Sequence, residues 1–225
     1  MAIGFRVLPR ARVVAPAIVE QFRALPVANV SDSMGRLTAA GARLRPMHKG
    51  GVLAGPALTV KAPPGDNLML HKSIQLAQPG DVVVMDAGGD LTNSLMGEMM
   101  LMQFSRKGVA GIVINGAIRD AAFIRDHDLP VFAAGVTHRG PYKNGPGEIN
   151  VPVAIDGMVV EPGDLVIGDE DGLLCVPFAD AEEVLAKSKA KFEAEQKQMA
   201  GILAGTHTSP WVDEALRKGG CEFVD

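Results

Sequence analysis

Cysteine is nearly absent from this chain of 225 residues, which contains only Cys175 and Cys221. Neither belongs to the paired spacing of a zinc site or a redox dithiol, so both read as free thiols. Cys175 lies in the apolar run Leu173–Val176 with no histidine or other base near it in sequence. That setting describes a buried structural cysteine rather than a nucleophile. An excess of positive charge is missing as well. The 22 Lys and Arg stand against 26 Asp and Glu, for a net charge of -4 at pH 7. The basic residues are scattered rather than clustered, which leaves no electrostatic footprint for nucleic acid.

Long apolar runs are also lacking. No window approaches the roughly 18 apolar residues of a membrane span. The segment from Met1 to Pro16 is broken by Arg6, Arg10, Arg12 and two prolines, so it has no signal-peptide pattern, and a cytoplasmic protein is expected. His48, His127, His138 and His207 share no metal-ligand spacing. No glycine-rich cofactor loop follows an early strand with an acidic residue at the next strand end, which argues against a methyltransferase using S-adenosylmethionine. There is no internal repeat, low-complexity segment or linker, and the length fits one domain over residues 1–225.

What is present is an ordinary globular composition, 47% hydrophobic and 21% charged. Apolar spacing predicts a helix over Ala15–Leu25 and a second one starting near Asn29 or Ser31, both good N-cap residues. From residue 52 strands and helices alternate. Strands are predicted at Val52–Val60, Asp81–Met85, Ala110–Ile114 and Pro130–Ala134, and helices at Asn67–Ala77, Asn93–Lys107 and Ala117–His127. Such alternation implies parallel strands covered on both faces. Shorter strands follow at Ile149–Ile155, Met158–Val160, Asp164–Ile167 and Leu173–Val176, separated by Asp156-Gly157, Pro162-Gly163 and Asp171-Gly172, and read as an antiparallel layer. Asp180 and Glu183 form a capping box before an amphipathic helix to about Ala200, and a short helix near Val212–Lys218 ends the chain. The whole is a layered α/β domain edged by terminal helices that serve as cover or in assembly.

The stretch Ile112 to Asp120 reads as a buried strand that stops at Asn115-Gly116 and opens a helix. Ligands of α/β sheets bind at the carboxyl ends of such strands. Arg119 and Asp120 stand at that edge. They read either as a solvated pair in a first helical turn or as a site, because arginine offers a fork for a carboxylate and aspartate a hard oxygen for Mg²⁺ or Mn²⁺. Gly97 is either tolerated within a surface helix or needed so that backbone N–H groups can approach a carboxylate, with Glu98 beside it to move a proton. His71 reads either as a structural histidine or as a residue facing the cleft. Lys61, Lys72 and Lys143 read as surface or substrate-carboxylate groups rather than Schiff-base nucleophiles. Asp164, Asp169, Glu170 and Asp171, interleaved with glycines, read as tight turns rather than a metal site. The methionines of Met96–Met102 read as core filling.

Gly97-Glu98, then twenty residues, then Arg119-Asp120, resembles the RraA-like family, which includes 4-hydroxy-4-methyl-2-oxoglutarate/4-carboxy-4-hydroxy-2-oxoadipate aldolases. The likeness runs from about Ser31 through Pro177 and takes in Ser31-Asp32, Asp66-Asn67, His71, Pro79-Gly80-Asp81, Gly116 to Asp120 and Gly145-Pro146-Gly147. The resemblance implies a β/β/α swivelling-type domain assembled as a homotrimer or homohexamer, with the active site between subunits. It further implies a divalent metal, Mg²⁺ or Mn²⁺, held by Asp120 and waters. Arg119 then meets the keto oxygen of a pyruvate unit, and backbone amides of Gly97, Glu98, Met99 and Met100 bind its carboxylate. The aldolases carry aspartate where this chain has Glu98, so the substrate is less determined than the reaction: retro-aldol cleavage of a hydroxylated 2-oxo diacid, with oxaloacetate decarboxylase side activity. The other role the family implies is a protein-binding regulator of a ribonuclease, without turnover.

Overall fold

A computed structural model describes residues 3–223; the first two and last two residues of the expected 1–225 domain lie outside the described residues. The chain divides into two compact units, one running up to Ser188 and one from Lys189 onward. The first unit contains, in chain order, β1 (Phe5–Val7), α1 (Pro16–Arg23), α2 (Val27–Ser33), β2 (Arg45–Pro46), β3 (Leu53–Lys61), α3 (Leu68–Leu76), β4 (Val82–Asp86) and β5 (Ser94–Met96). It continues with α4 (Glu98–Arg106), β6 (Gly111–Ile118), α5 (Ala121–Asp126), β7 (Val131–Val136), β8 (Gly147–Ile149), β9 (Val153–Ile155), β10 (Met158–Val160), β11 (Leu165–Asp169) and β12 (Gly172–Val176). After a single 3-10 turn comes α6 (Ala181–Leu203), and α7 (Pro210–Lys218) lies in the second unit.

The strands β3, β4, β6 and β7 are parallel neighbours in that order. Their side chains alternate between two cores, because successive residues of a strand face opposite ways. Val83, Met85, Ile112 and Ile114 pack under the helices with Leu70, Ile74, Leu101, Phe104 and Ile124. Val82, Val84 and Val113 face the other way, against Val153, Ile155, Met158, Val160, Val166, Leu173 and Cys175 of the later strands. Each such fully buried aliphatic side chain contributes about 1.5–3 kcal/mol. The result is the expected α/β layering: helices, a central parallel sheet, and a second β layer. β3 joins the two β layers, pairing with β4 through Ala57–Lys61 and with β11 through Leu53–Pro56. The β9–β10 hairpin turns at Asp156-Gly157, where both residues have positive φ (48° and 89°), as a tight two-residue hairpin turn requires.

Four local expectations are corrected. α2 starts at Val27, not at Asn29 or Ser31, and no side chain of its own N-cap serves it. Asp169 Oδ2 accepts the Val27 N–H instead at 3.0 Å, a cap delivered from β11. The span predicted as one helix, Asn93–Lys107, begins with the strand β5, which lies beside the end of β6. β6 does not stop at Asn115-Gly116 but runs on to Ile118, because β5 and β7 pair with its last residues after a register shift. Consequently α5 starts at Ala121, and Arg119-Asp120 form the link between strand and helix rather than a first helical turn. Finally β1, absent from the sequence reading, runs parallel to β8, with Arg6 Nε 2.5 Å from Glu148 Oε1.

Candidate functional site

The chain ends of β5 and β6 bring Gly97 and Arg119-Asp120 together. The Arg119 N–H donates to the Met96 carbonyl at 2.9 Å, tying the two strand ends. Asp120 then adopts the left-handed conformation (φ 56°, ψ 38°) at the N-cap of α5. Aspartate tolerates that region better than most residues, and strain of this kind concentrates at functional positions. Its carboxylate makes no cap bond to α5. Oδ2 reaches across instead to accept the N–H of Glu98 at 3.0 Å, the first residue of α4. The negative charge thus sits at the positive end of a neighbouring helix.

Gly97 is the N-cap of α4, with extended backbone (φ -141°, ψ -168°) that any residue adopts. The need for glycine is spatial. A Cβ here would overlap Asp120 Oδ2 and stand 3.0 Å from Arg119 Cγ and 3.1 Å from its Nε. The absent side chain lets the first-turn amides of α4, the Arg119 guanidinium and the Asp120 carboxylate share one small space.

That space is a cavity of about 140 Å³ lined by Gly97, Met99, Met100, Arg119, Asp120, Asn67, His71, Pro141, Lys143 and Ser94 to Met96. A second hollow of about 310 Å³ is lined by Arg119 and Asp120 together with Val136, Thr137 and His138. Of the residues expected in the site, Gly97, Met99, Met100, Arg119 and Asp120 converge. Glu98 contributes its backbone N–H, while its side chain is exposed and outside the cavity lining. Met100 also packs into the helix-side core, whereas Met99 is exposed.

The loop carrying Lys143 is anchored by buried polar residues. Ser94 donates from N and Oγ to the Arg139 carbonyl at 2.8 and 2.9 Å, and Asn93 Nδ2 donates to Gly140 O at 2.5 Å. Asp66 accepts from Asn144 N (2.6 Å), Gly145 N (2.9 Å) and, at the start of α3, Leu68 N (2.9 Å). This arrangement places Lys143 opposite His71. Burial first and the Lys143 ammonium second push the His71 imidazole below its ordinary pKa near 6.5. Sequence alone leaves His71 open and assigns Asn67 no part in the site. Only the folding of the 139–145 loop onto residues 65–67 and 93–94 shows their place, a contact no local spacing encodes.

Among the described residues no group of three or more His, Cys, Asp or Glu is placed to hold a metal ion. Among the described residues that line the cavity Asp120 alone offers a carboxylate, and its Oδ1 accepts no hydrogen bond from a described residue. A single hard oxygen donor of this kind fits a magnesium-type ion, which keeps several waters and takes substrate oxygens rather than a full protein cage. Two of the acidic residues of 164–171 bind backbone N–H groups, Asp169 at the start of α2 as well as in its own turn. Asp164 accepts from Glu161 N and Phe178 N, and Asp169 from Val27 N and Asp171 N. Burial and the neighbouring Asp164 push the Cys175 thiol far up, in keeping with an inert structural cysteine.

The sequence pattern described as RraA-like, Aldolase/RraA, matches residues 27–175, a span that holds every cavity residue named above. This chain belongs to the RraA-like family. A relative from Halalkalibacterium halodurans, provisionally named 4-hydroxy-4-methyl-2-oxoglutarate aldolase, is 39% identical over 173 residues, covering 77% of this chain and 82% of the relative. A 4-hydroxy-4-methyl-2-oxoglutarate aldolase of Thermus thermophilus is 36% identical over 112 residues, 50% of this chain and 68% of that one. Among solved structures, Streptomyces coelicolor RraAS2, described as an unusual member of the RNase ES inhibitor RraA family, superposes with a TM-score of 0.75 at 30% identity, covering 86% of this chain and 98% of that one.

Proposed function

We propose that this RraA-like protein is a divalent-metal-dependent carbon–carbon lyase. Its substrate is 4-hydroxy-4-methyl-2-oxoglutarate or a similar hydroxylated 2-oxo diacid, cleaved to pyruvate and a second 2-oxo acid, with oxaloacetate decarboxylation as a side activity. The observation that carries this reading is the side-chain-free position at Gly97, around which helix amides, a guanidinium and a carboxylate converge. The names of the Halalkalibacterium and Thermus relatives support the same reaction class.

Both reactions leave an electron pair on a pyruvate enolate. In the first turn of α4 the Glu98 N–H is taken by Asp120 Oδ2 and the Met100 N–H by the Gly97 carbonyl, so the Met99 N–H is the donor offered to the substrate carboxylate at the positive end of the helix. Arg119 directs its fork toward the keto oxygen, where charge grows in the transition state and where binding therefore accelerates reaction. Asp120, through its unpartnered Oδ1, would hold Mg²⁺ or Mn²⁺, which when bound supplies Lewis-acid polarisation of the same 2-oxo group. With a metal and a guanidinium at the enolate oxygen no Schiff base is needed, and Lys143, on its anchored loop, offers a cation to the second carboxylate. Glu98, exposed at the rim, orients a water that protonates the enolate.

A homotrimer or homohexamer completes the proposal. The second unit leaves Leu203, Trp211, Val212 and Leu216 exposed, and apolar area of that kind is ordinarily covered by a partner. No helix among the described residues is long and apolar enough to cross a membrane. The structural likeness to RraAS2 favours one other reading, a ribonuclease-binding regulator without turnover. Pyruvate release from the hydroxy acid and from oxaloacetate, with Mg²⁺ or with chelator, for wild type and Asp120→Ala, separates the two. Metal-dependent release lost in the variant is expected; no release from either substrate overturns the lyase.

A further inference from the structure

We propose that His71 is the catalytic base that removes the proton from the hydroxyl of the substrate, and this rests on the lyase reading above. Retro-aldol cleavage makes two demands at opposite ends of the breaking bond. The C3–C4 electron pair moves onto the 2-oxo group, forming the enolate. At the same time the C4 hydroxyl oxygen becomes a carbonyl and must give up its proton. The residues placed at the pyruvate end answer only the first demand. Oxaloacetate decarboxylation makes the first demand alone, because its departing carbon leaves as CO₂ from a carboxylate with no proton to remove.

Few groups facing the cavity accept a proton. Arg119 and Lys143 are cations, and Asp120 has Oδ2 at the start of α4 and, on the lyase reading, Oδ1 reserved for the metal. The His71 ring lines the same cavity, is half-buried, and makes no hydrogen bond to another described residue. Its backbone is fixed: its N–H donates to Asn67 O at 3.0 Å, and Asp66 caps the same turn through Leu68 N. Burial and Lys143 keep the imidazole unprotonated around neutral pH, the form a base requires.

The charged groups around the ring are accounted for. Lys143, Arg119 and Asp120 share its cavity, and Arg6 and Lys72 line a hollow on its other side. The elements packed against α3 carry Lys61 on β3, Glu148 on β8, and Glu98 and Arg106 on α4. The proton balance closes simply. The imidazole takes the hydroxyl proton and later returns it to solvent, while C3 of the enolate gains a proton from water. No oxidant or co-reactant enters.

The test compares one Mg²⁺-loaded preparation on two substrates. His71→Gln is expected to lower kcat for the hydroxy acid by about 100-fold, the usual scale of general-base catalysis. The same protein should decarboxylate oxaloacetate within about threefold of wild type, which also shows that the variant folds and binds pyruvate units. In the wild type the acid limb of kcat/KM for the hydroxy acid should fall below pH 6.5, vanish in His71→Gln, and move to higher pH in Lys143→Met. Equal losses on both substrates, or no loss on either, overturn the assignment. Wild-type turnover of oxaloacetate alone also overturns it, since no hydroxyl is then deprotonated, and turnover of neither substrate overturns the lyase reading together with it.

Discussion

At the scale of single residues, the site depends on an atom that is not there. Gly97→Ala adds a methyl group where Asp120 Oδ2 lies, so the carboxylate and the neighbouring guanidinium must move apart. Because both are half-exposed and free to shift, the fold should persist while kcat/KM falls by about 100-fold, the scale of a misplacement near one ångström. A thermal melt alongside the pyruvate assay checks both halves of that statement. Arg119→Lys keeps the charge but loses the planar fork, and should lower kcat for both proposed substrates together, since both pass through the same enolate. Thiol chemistry offers a simpler check at this scale. Cys175 is buried with its thiol held protonated, whereas Cys221 is exposed, so the native protein should react with one equivalent of a thiol reagent and the unfolded protein with two.

At the scale of elements, the 139–145 loop that lines the cavity is held by side chains outside the cavity lining. Asp66, 4% exposed, accepts three backbone N–H groups, two from the loop and one from the first turn of α3. Asp66→Ala leaves those donors buried without partners. The expected loss is about 3 kcal/mol of stability by urea titration, with a raised KM, since Lys143 and His71 are both positioned through this residue. The same scale explains where local signals misled. Gly116 and the following residues read as a turn, yet β5 on one side and β7 on the other supply ladder partners that carry β6 through to Ile118. Asn29 and Ser31 are good N-caps by type, but Pro26 and the distant Asp169 set the start of α2.

At the scale of the whole chain, the described residues after Ser188 include none that is buried, and Trp211, Val212 and Leu216 of α7 are open. A full-length chain is therefore expected to sediment as a trimer or larger, and Trp211→Asp with Leu216→Asp to shift that mass downward or slow its assembly at low concentration; an unchanged mass would show that α7 lies outside the contacts. What the sequence determined by itself was the alternation of the central strands and helices. Continuous apolar runs at 82–85 and 111–114 demand burial on both faces, and the short later strands supply one of the two covers. The family pattern marked Gly97, Arg119 and Asp120 as well, because those residue types at that spacing are recognisable without coordinates. Only the tertiary structure decided that Asp120 turns left-handed to face α4, that Gly97 is required for space rather than for its backbone angles, and that His71 and Lys143 meet across one cavity. Those facts rest on approaches between segments far apart in the chain, where local propensity is weak and sheet pairing and buried hydrogen bonds set the geometry.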